Sequence, residues 1–132
     1  MLKYMLDTNI VIYVIKSRPI ELLDVFNQHA GQTCISSITL AELLHGVEKS
    51  SRPDHNLHQV EDFCSRLEVL SYGNKAALHY GNIRADLETK GTPIGVNDLH
   101  IAGHARSEGL ILVSNNLREF ERVAALRVVN WV

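Results

Sequence analysis

Short apolar segments separated by amphipathic ones constrain this chain more than any other feature. LKYML (2–6), TCIS (33–36), EVLS (68–71), LILVS (110–114) and LRVVNW (126–131) are brief runs bounded by polar residues. Such runs fit strands of a sheet buried on both faces. Between them, helical periodicity runs over 9–16, 20–29, 39–49, 53–67, 75–90 and 98–107. The apolar stripe of the second stretch is Ile20, Leu23 and Phe26; that of the third is Leu40, Leu43, Leu44 and Val47. Strands alternating with helices predict a parallel sheet with right-handed crossovers. The expected fold is α/β, three layers deep, with four or five parallel strands. With 132 residues, 45% hydrophobic, and no repeat or linker, residues 1–132 are read as one domain with room for a core.

Charge and composition narrow the function classes. A net charge of -2 and a pI near 6.4 exclude a basic coat for nucleic acid, so phosphate contact requires a local patch or a cation. No apolar run reaches the roughly 18 residues of a membrane span, and the N-terminus lacks a signal-peptide layout. Cys34 and Cys64 lie in apolar segments and suit reduced, buried thiols. A cytoplasmic protein is expected.

The acids fall where an open parallel sheet does its work, outside the carboxyl ends of the strands. Asp7 follows the first strand, and Glu42 lies just past the second, in the next helix. Asp98 begins the helix that leads into LILVS, so it too lies at the carboxyl edge; Glu119 follows LILVS in SNNLREF. Singly, each has a plain explanation: Asp7 as a helix cap, Thr39 with Glu42 as a capping box, Asp98 as a first-turn acid, Glu119 as solvated surface. Together they repel, by about 4 kcal/mol for unit charges about 4 Å apart at a surface-like dielectric. Four carboxylates on one rim make sense around a cation, and an all-oxygen donor set favours Mg²⁺ or Mn²⁺.

The stretches MLDTNIVIY, ISSITLAELLHGVEKS and PIGVNDLHIAGHARSEGLILVSNNLREFERV together resemble the PIN domain of VapC-type ribonuclease toxins from toxin–antitoxin pairs. The resemblance spans essentially the whole chain, with the motifs in order. It implies a Mg²⁺-dependent endoribonuclease (Mn²⁺ substituting) whose acids map onto Asp7, Glu42, Asp98 and Glu119. Asp7 and Asp98 would be direct ligands and Glu42 a water-orienting group or general base. Ser114 stands where the family carries a Ser or Thr that orients the site, and Asn9 would add a supporting hydrogen bond. Hydrolysis by activated water would leave a 5′-phosphate and a 3′-hydroxyl. The implied partners are a cognate VapB-like antitoxin, a second copy of the chain, and structured RNA, with the initiator tRNA anticodon loop among the targets. The antitoxin would bury an apolar segment in a groove and push a basic side chain among the acids. Two departures stand out. The family's fourth acid is often Asp, which leaves Asn116 as a rival to Glu119, and His100 occupies a place where an apolar residue is expected.

Lys16, Arg18, Arg84, Arg106 and Arg118 are candidates for gripping phosphates, although each is also an ordinary surface charge. His100 and His104 have the spacing of two zinc ligands, yet HIAGH lacks the Glu of a zincin and no third ligand is evident. An Asp-nucleophile phosphatase would want an acid where Asn9 stands. A phosphoryl-accepting receiver domain would want paired acids after the first strand and a Lys after the last core strand, where this chain has DTN and SNN. No Walker-type glycine loop occurs. A catalytically inactive PIN scaffold is the remaining alternative, distinguished by metal titration.

Overall fold

A computed structural model describes residues 1–132. In chain order the elements are β1 (Tyr4–Leu6), α1 (Thr8–Lys16), α2 (Ile20–Gln28), β2 (Thr33–Ser36), α3 (Ser37–Glu48), α4 (Pro53–Cys64), β3 (Glu68–Leu70), α5 (Asn74–Thr89), α6 (Val96–Ser107), β4 (Ile111–Val113), α7 (Leu117–Phe120) and β5 (Val128–Val129). The five strands form one all-parallel sheet in the order β3-β2-β1-β4-β5. The chain winds outward from β1 in one direction and then from β4 in the other. The switch point therefore lies between β1 and β4, where such sheets open a crevice at their carboxyl ends.

Side chains of successive strand residues point to opposite faces, and two cores result. Met5, Cys34 and Leu112, which are in register, pack with Ile83, Leu87 and Leu99 from α5 and α6. Leu6, Ile35 and Val113 face the other way, against Ile10, Val14, Leu22, Leu43 and Val60 from α1 to α4. The three-layer α/β expectation is met, with five strands. The receiver alternative is overturned by topology, because that fold places β1 between β2 and β3, whereas here β1 lies between β2 and β4.

Local details differ from the sequence reading. In α2 the buried residues are Leu22 and Phe26, while Ile20 is 65% exposed, because α2 docks one position round from the expected stripe. In α3, Leu43 and Val47 are buried and Leu44 is exposed. The last strand is only Val128–Val129, since Trp131 leaves the sheet to stack on His29 (4.8 Å) and meet Tyr4 edge-on (5.0 Å). The turn expected after LILVS contains one helical turn, α7, pinned by the fully buried Phe120. No helix is long and apolar enough to cross a membrane.

α6 is the most deeply set helix, with seven buried residues among its twelve. Its approach to α5 depends on Gly103: a Cβ there would stand 2.9 Å from the backbone nitrogen of Tyr80 and 3.2 Å from the carbonyl oxygen of Ala76. Backbone cannot step aside as a side chain can. Gly103→Ala is expected to destabilise the fold by about 1–3 kcal/mol, read as a lower urea midpoint. Gly81→Ala, on α5 with open space around it, should instead raise the midpoint, by about 0.5–1 kcal/mol.

Candidate active site

The site is built from the ends of β1 and β4 and the starts of α1, α3 and α6. Asp7 is the residue after β1 and the N-cap of α1: its Oδ1 accepts from the Ile10 N–H at 3.0 Å. The plain reading of Asp7 as a cap is thus correct, and it uses only one carboxylate oxygen. The other, Oδ2, accepts from the Ser114 hydroxyl at 2.5 Å across 107 residues of chain. The Asn116 N–H donates to that same hydroxyl oxygen at 2.9 Å, which orients the Ser114 proton toward Asp7. Asp7 is only 5% exposed. Burial raises its pKa, the Ser114 and Ile10 bonds oppose the rise, and the Glu42 charge adds to it.

Glu42 reaches the rim from the second turn of α3. The capping-box reading fails because α3 begins at Ser37 and Ser36 is its N-cap, its hydroxyl accepting from Ile38 N–H at 3.1 Å. Glu42 instead accepts a 2.6 Å hydrogen bond from the Thr8 hydroxyl, and buried Thr39 lies 3.4 Å from that hydroxyl. Neither threonine was singled out for the site by sequence. The signal for Thr8 was its place directly after Asp7, in the first turn of α1, where a side chain still faces the strand end.

Asp98, in the first turn of α6, is raised to about 6 from an ordinary 3.8. Burial is the largest cause; next come a hydrogen bond with Glu119 and the Glu119 charge, then the charges of Asp7 and Glu42. Every acid expected on the rim therefore acts on Asp98, and Glu119 acts most. Asn116 instead contributes its backbone N–H to Ser114 and caps α7 without a side-chain bond. Asn9 lies exposed in α1; its backbone N–H faces Asp7, and its side chain donates to no carboxylate here.

The donor set is all oxygen and carries excess negative charge, which fits a hard divalent cation. No three Asp, Glu, His or Cys side chains already form a closed ion cage; the acids are an open rim. The zinc reading does not survive. His100 Nδ1 is 2.8 Å from the Tyr72 hydroxyl, and His104 Nδ1 is 2.7 Å from the Ser36 hydroxyl. Burial lowers the pKa of both rings, as expected for neutral imidazoles in hydroxyl-bonded structural roles.

Glu42 borders a groove of about 280 Å³, the larger of two that adjoin along α1 and α4. This groove runs between α1, α3 and α4 over Ile12, Ile15, Leu43 and Val47, with Thr8 and Glu42 at one end and Lys16 on its wall. It shares Ile15 and Gln59 with a neighbouring groove of about 180 Å³ that ends at Asp62 and Arg66. Among the basic candidates, Lys16 lines the groove, Arg18 is exposed just beyond α1, and Arg118 is exposed beside Glu119. Arg84 and Arg106 are otherwise engaged. Arg84 donates to the Tyr80 hydroxyl (2.6 Å) and Glu88 (3.5 Å) on α5. Arg106 ties His79 (2.9 Å), Asn82 (2.7 Å) and the Ala124 carbonyl (2.9 Å) together at the far end of α6 from Asp98.

The PIN domain family profile matches residues 4–126. A protein named Ribonuclease VapC2 from Haemophilus influenzae is 67% identical over 132 residues, covering both chains entirely. A protein named tRNA(fMet)-specific endonuclease VapC from Salmonella typhimurium is 56% identical over 131 residues, 99% of each chain. The DNA-bound VapBC crystal structure from Salmonella typhimurium contains a chain that superposes with a TM-score of 0.96 at 55% identity, with both chains fully covered. VapBC2 from Rickettsia felis, bound to a promoter DNA fragment, gives 0.93 at 42% identity, covering 99% of this chain and 100% of that one. The fold and the rim of acids define a PIN domain; the chain belongs to that family, in its VapC branch.

The strained charge at Asp98 has a thermodynamic signature. Its folded pKa of about 6 lies above the ordinary 3.8, so the folded chain holds this proton more tightly than the unfolded chain. The contribution of this group to stability is then fully present below about pH 4 and is lost as pH rises through about 6. In chelator at about pH 7.5, Asp98→Asn should melt higher than the parent by roughly 1 kcal/mol or more, since each tenfold change in proton affinity is worth about 1.4 kcal/mol. The gap should close near pH 4. Equal melting of the two at both pH values would show that no such strain exists.

Proposed function

We propose that this chain is the toxin of a type II toxin–antitoxin pair, a divalent-metal-dependent endoribonuclease that cuts RNA phosphodiester bonds. The observation that carries this reading is Asp98, held under the combined charge of Glu119, Asp7 and Glu42 at the carboxyl edge of a PIN sheet. Asp7 and Asp98 would hold Mg²⁺, or Mn²⁺ in its place, with Glu42 and Glu119 completing the oxygen set. When bound, the cation would polarise the phosphodiester and activate water. The chain's own residues supply the rest. Ser114 and the Ile10 N–H keep both Asp7 oxygens aimed, and Thr8 keeps Glu42 turned to the rim, where it orients water or takes its proton.

The relative named a tRNA(fMet)-specific endonuclease is 56% identical over nearly the full length, which supports the initiator tRNA as substrate. Of the five basic candidates, Lys16, Arg18 and Arg118 keep their side chains unpaired within the chain and would meet its phosphates, and the cytoplasm is where that RNA resides. Relatives solved as VapBC complexes support a VapB-like antitoxin as partner. Its inhibitory segment would lie in the groove between α1, α3 and α4, apolar residues against Ile12, Ile15 and Val47, with a basic residue directed at Glu42.

Asp7→Asn keeps the cap, because Asn caps helices as well as Asp, and removes a ligand charge. RNA cleavage in Mg²⁺ buffer should be lost while the circular dichroism spectrum stays that of the parent. Cleavage at the parent rate would sink the assignment. Ser114→Ala frees one Asp7 oxygen without touching the rim charge; activity should fall roughly 10–100-fold, the usual effect of losing such a support, with a raised Mg²⁺ requirement in the same titration.

A further inference from the structure

On the other side of Glu42 from the apolar groove lies a cleft of about 230 Å³, lined by Ile38, Ala41, Glu42, His45 and Asn97. Its walls are α3 and the first turn of α6. It joins the acid rim twice over: Glu42 belongs to both, and Asn97 immediately precedes Asp98 in the chain. One residue fixes the two walls relative to each other. The Tyr72 N–H donates to the Ser37 hydroxyl of α3 at 3.0 Å, and the Tyr72 hydroxyl is 2.8 Å from His100 Nδ1 on α6. His100 in turn stacks on Tyr80, centroids 4.2 Å apart and planes within 8°. A polar ring at position 100, unexpected from sequence, is thus part of the brace that holds the cleft open at a set width.

Asn97 and His45 are exposed and form no side-chain hydrogen bond within the chain. Taken singly each is ordinary surface. Both, however, face one cleft that shares a carboxylate with the rim, and the remaining lining is apolar. We propose that this cleft seats a nucleobase flanking the scissile phosphate. Proteins read unpaired RNA by packing a splayed base against side chains and hydrogen-bonding its edge. Ile38 and Ala41 supply the apolar face. The Asn97 amide supplies a donor and an acceptor side by side, the pair that a base edge presents in complement. The His45 imidazole supplies a second polar contact from the opposite wall. Glu42 then divides the rim: the partner's segment lies on the α1 side and the substrate base on the α6 side. Because Tyr72 and His100 brace the cleft beforehand, little ordering cost falls on binding.

This inference rests on the ribonuclease reading and deepens it, so its test has two arms. In the first, wild type, Asn97→Ala and His45→Ala cleave a randomised RNA pool in Mg²⁺ buffer, and the ends are sequenced. Loss of the edge contact should reduce nucleotide discrimination next to the cut by about tenfold or more, with melting temperatures unchanged. Asn56→Ala, on the α4 wall of the groove between α1, α3 and α4, should keep the parental preference. An unaltered preference in both cleft variants would overturn the proposal. The second arm needs no catalysis: the Asp7→Asn chain is titrated with AMP, GMP, CMP and UMP and followed by NMR. Shifts at the Asn97 side-chain amide and the Ala41 methyl support the cleft. Shifts confined to the Asn56 and Gln59 amides, or none, refute it. A wild type that cuts no RNA would count against the ribonuclease reading instead, and the mononucleotide arm would still decide the cleft.

Discussion

The structure is organised around one carboxylate that has nowhere to go. Asp7 directly follows the central strand and is almost wholly removed from water, a placement that is costly for an unpartnered charge. Its two oxygens are satisfied from opposite directions, by a helix N-terminus on one side and by Ser114 on the other. The first bond starts α1, and the second ties β4 to β1 at the switch point of the sheet. The same geometry leaves the carboxylate within reach of the charges of Glu42 and Asp98, and Asp98 in turn meets Glu119, so the contacts that hold Asp7 also concentrate the negative charge.

Holding such a cluster together requires mechanical support from elsewhere. α6 is set deep against the sheet by Leu99, Ile101, Ala102 and Ala105, and it meets α5 across Gly103 with no room for a side chain. That packing delivers Asp98 to the rim against the repulsion of its neighbours, and the raised affinity of Asp98 for its proton records the strain. In the proposed function, a divalent cation would relieve that repulsion. In the proposed partnership, a basic side chain of an antitoxin would do the same. Glu42 stands at the junction, with an apolar groove on one flank and a polar-edged cleft on the other.

Much of this was legible in the linear chain. Alternation of short apolar runs with helical periodicity is a local property, and it carried through to a three-layer parallel fold. The position of each acid relative to a strand end was legible too, because in a parallel sheet every strand end of one kind lies on one edge. The failures were about direction on a surface. Ile20 and Leu22 both belong to an apolar helix, and only docking decided which one is covered. Arg106 looked like any other basic residue until folding gave its guanidinium three partners away from the rim. Glu42 matched a capping spacing that α3, starting two residues earlier than expected, does not use.

What the sequence determined by itself was the kind of chemistry: a parallel α/β sheet, four acids at its working edge, and a resemblance that names their family. Those follow from residue type and spacing, which are fixed before the chain folds. Tertiary structure alone decided which oxygen bonds which hydroxyl, that Thr8 rather than Thr39 donates to Glu42, and that Tyr72 and His100 brace α6 against α3. Such contacts join residues up to 107 positions apart, and nothing in the order of the chain encodes a distance between them until the sheet closes the gap.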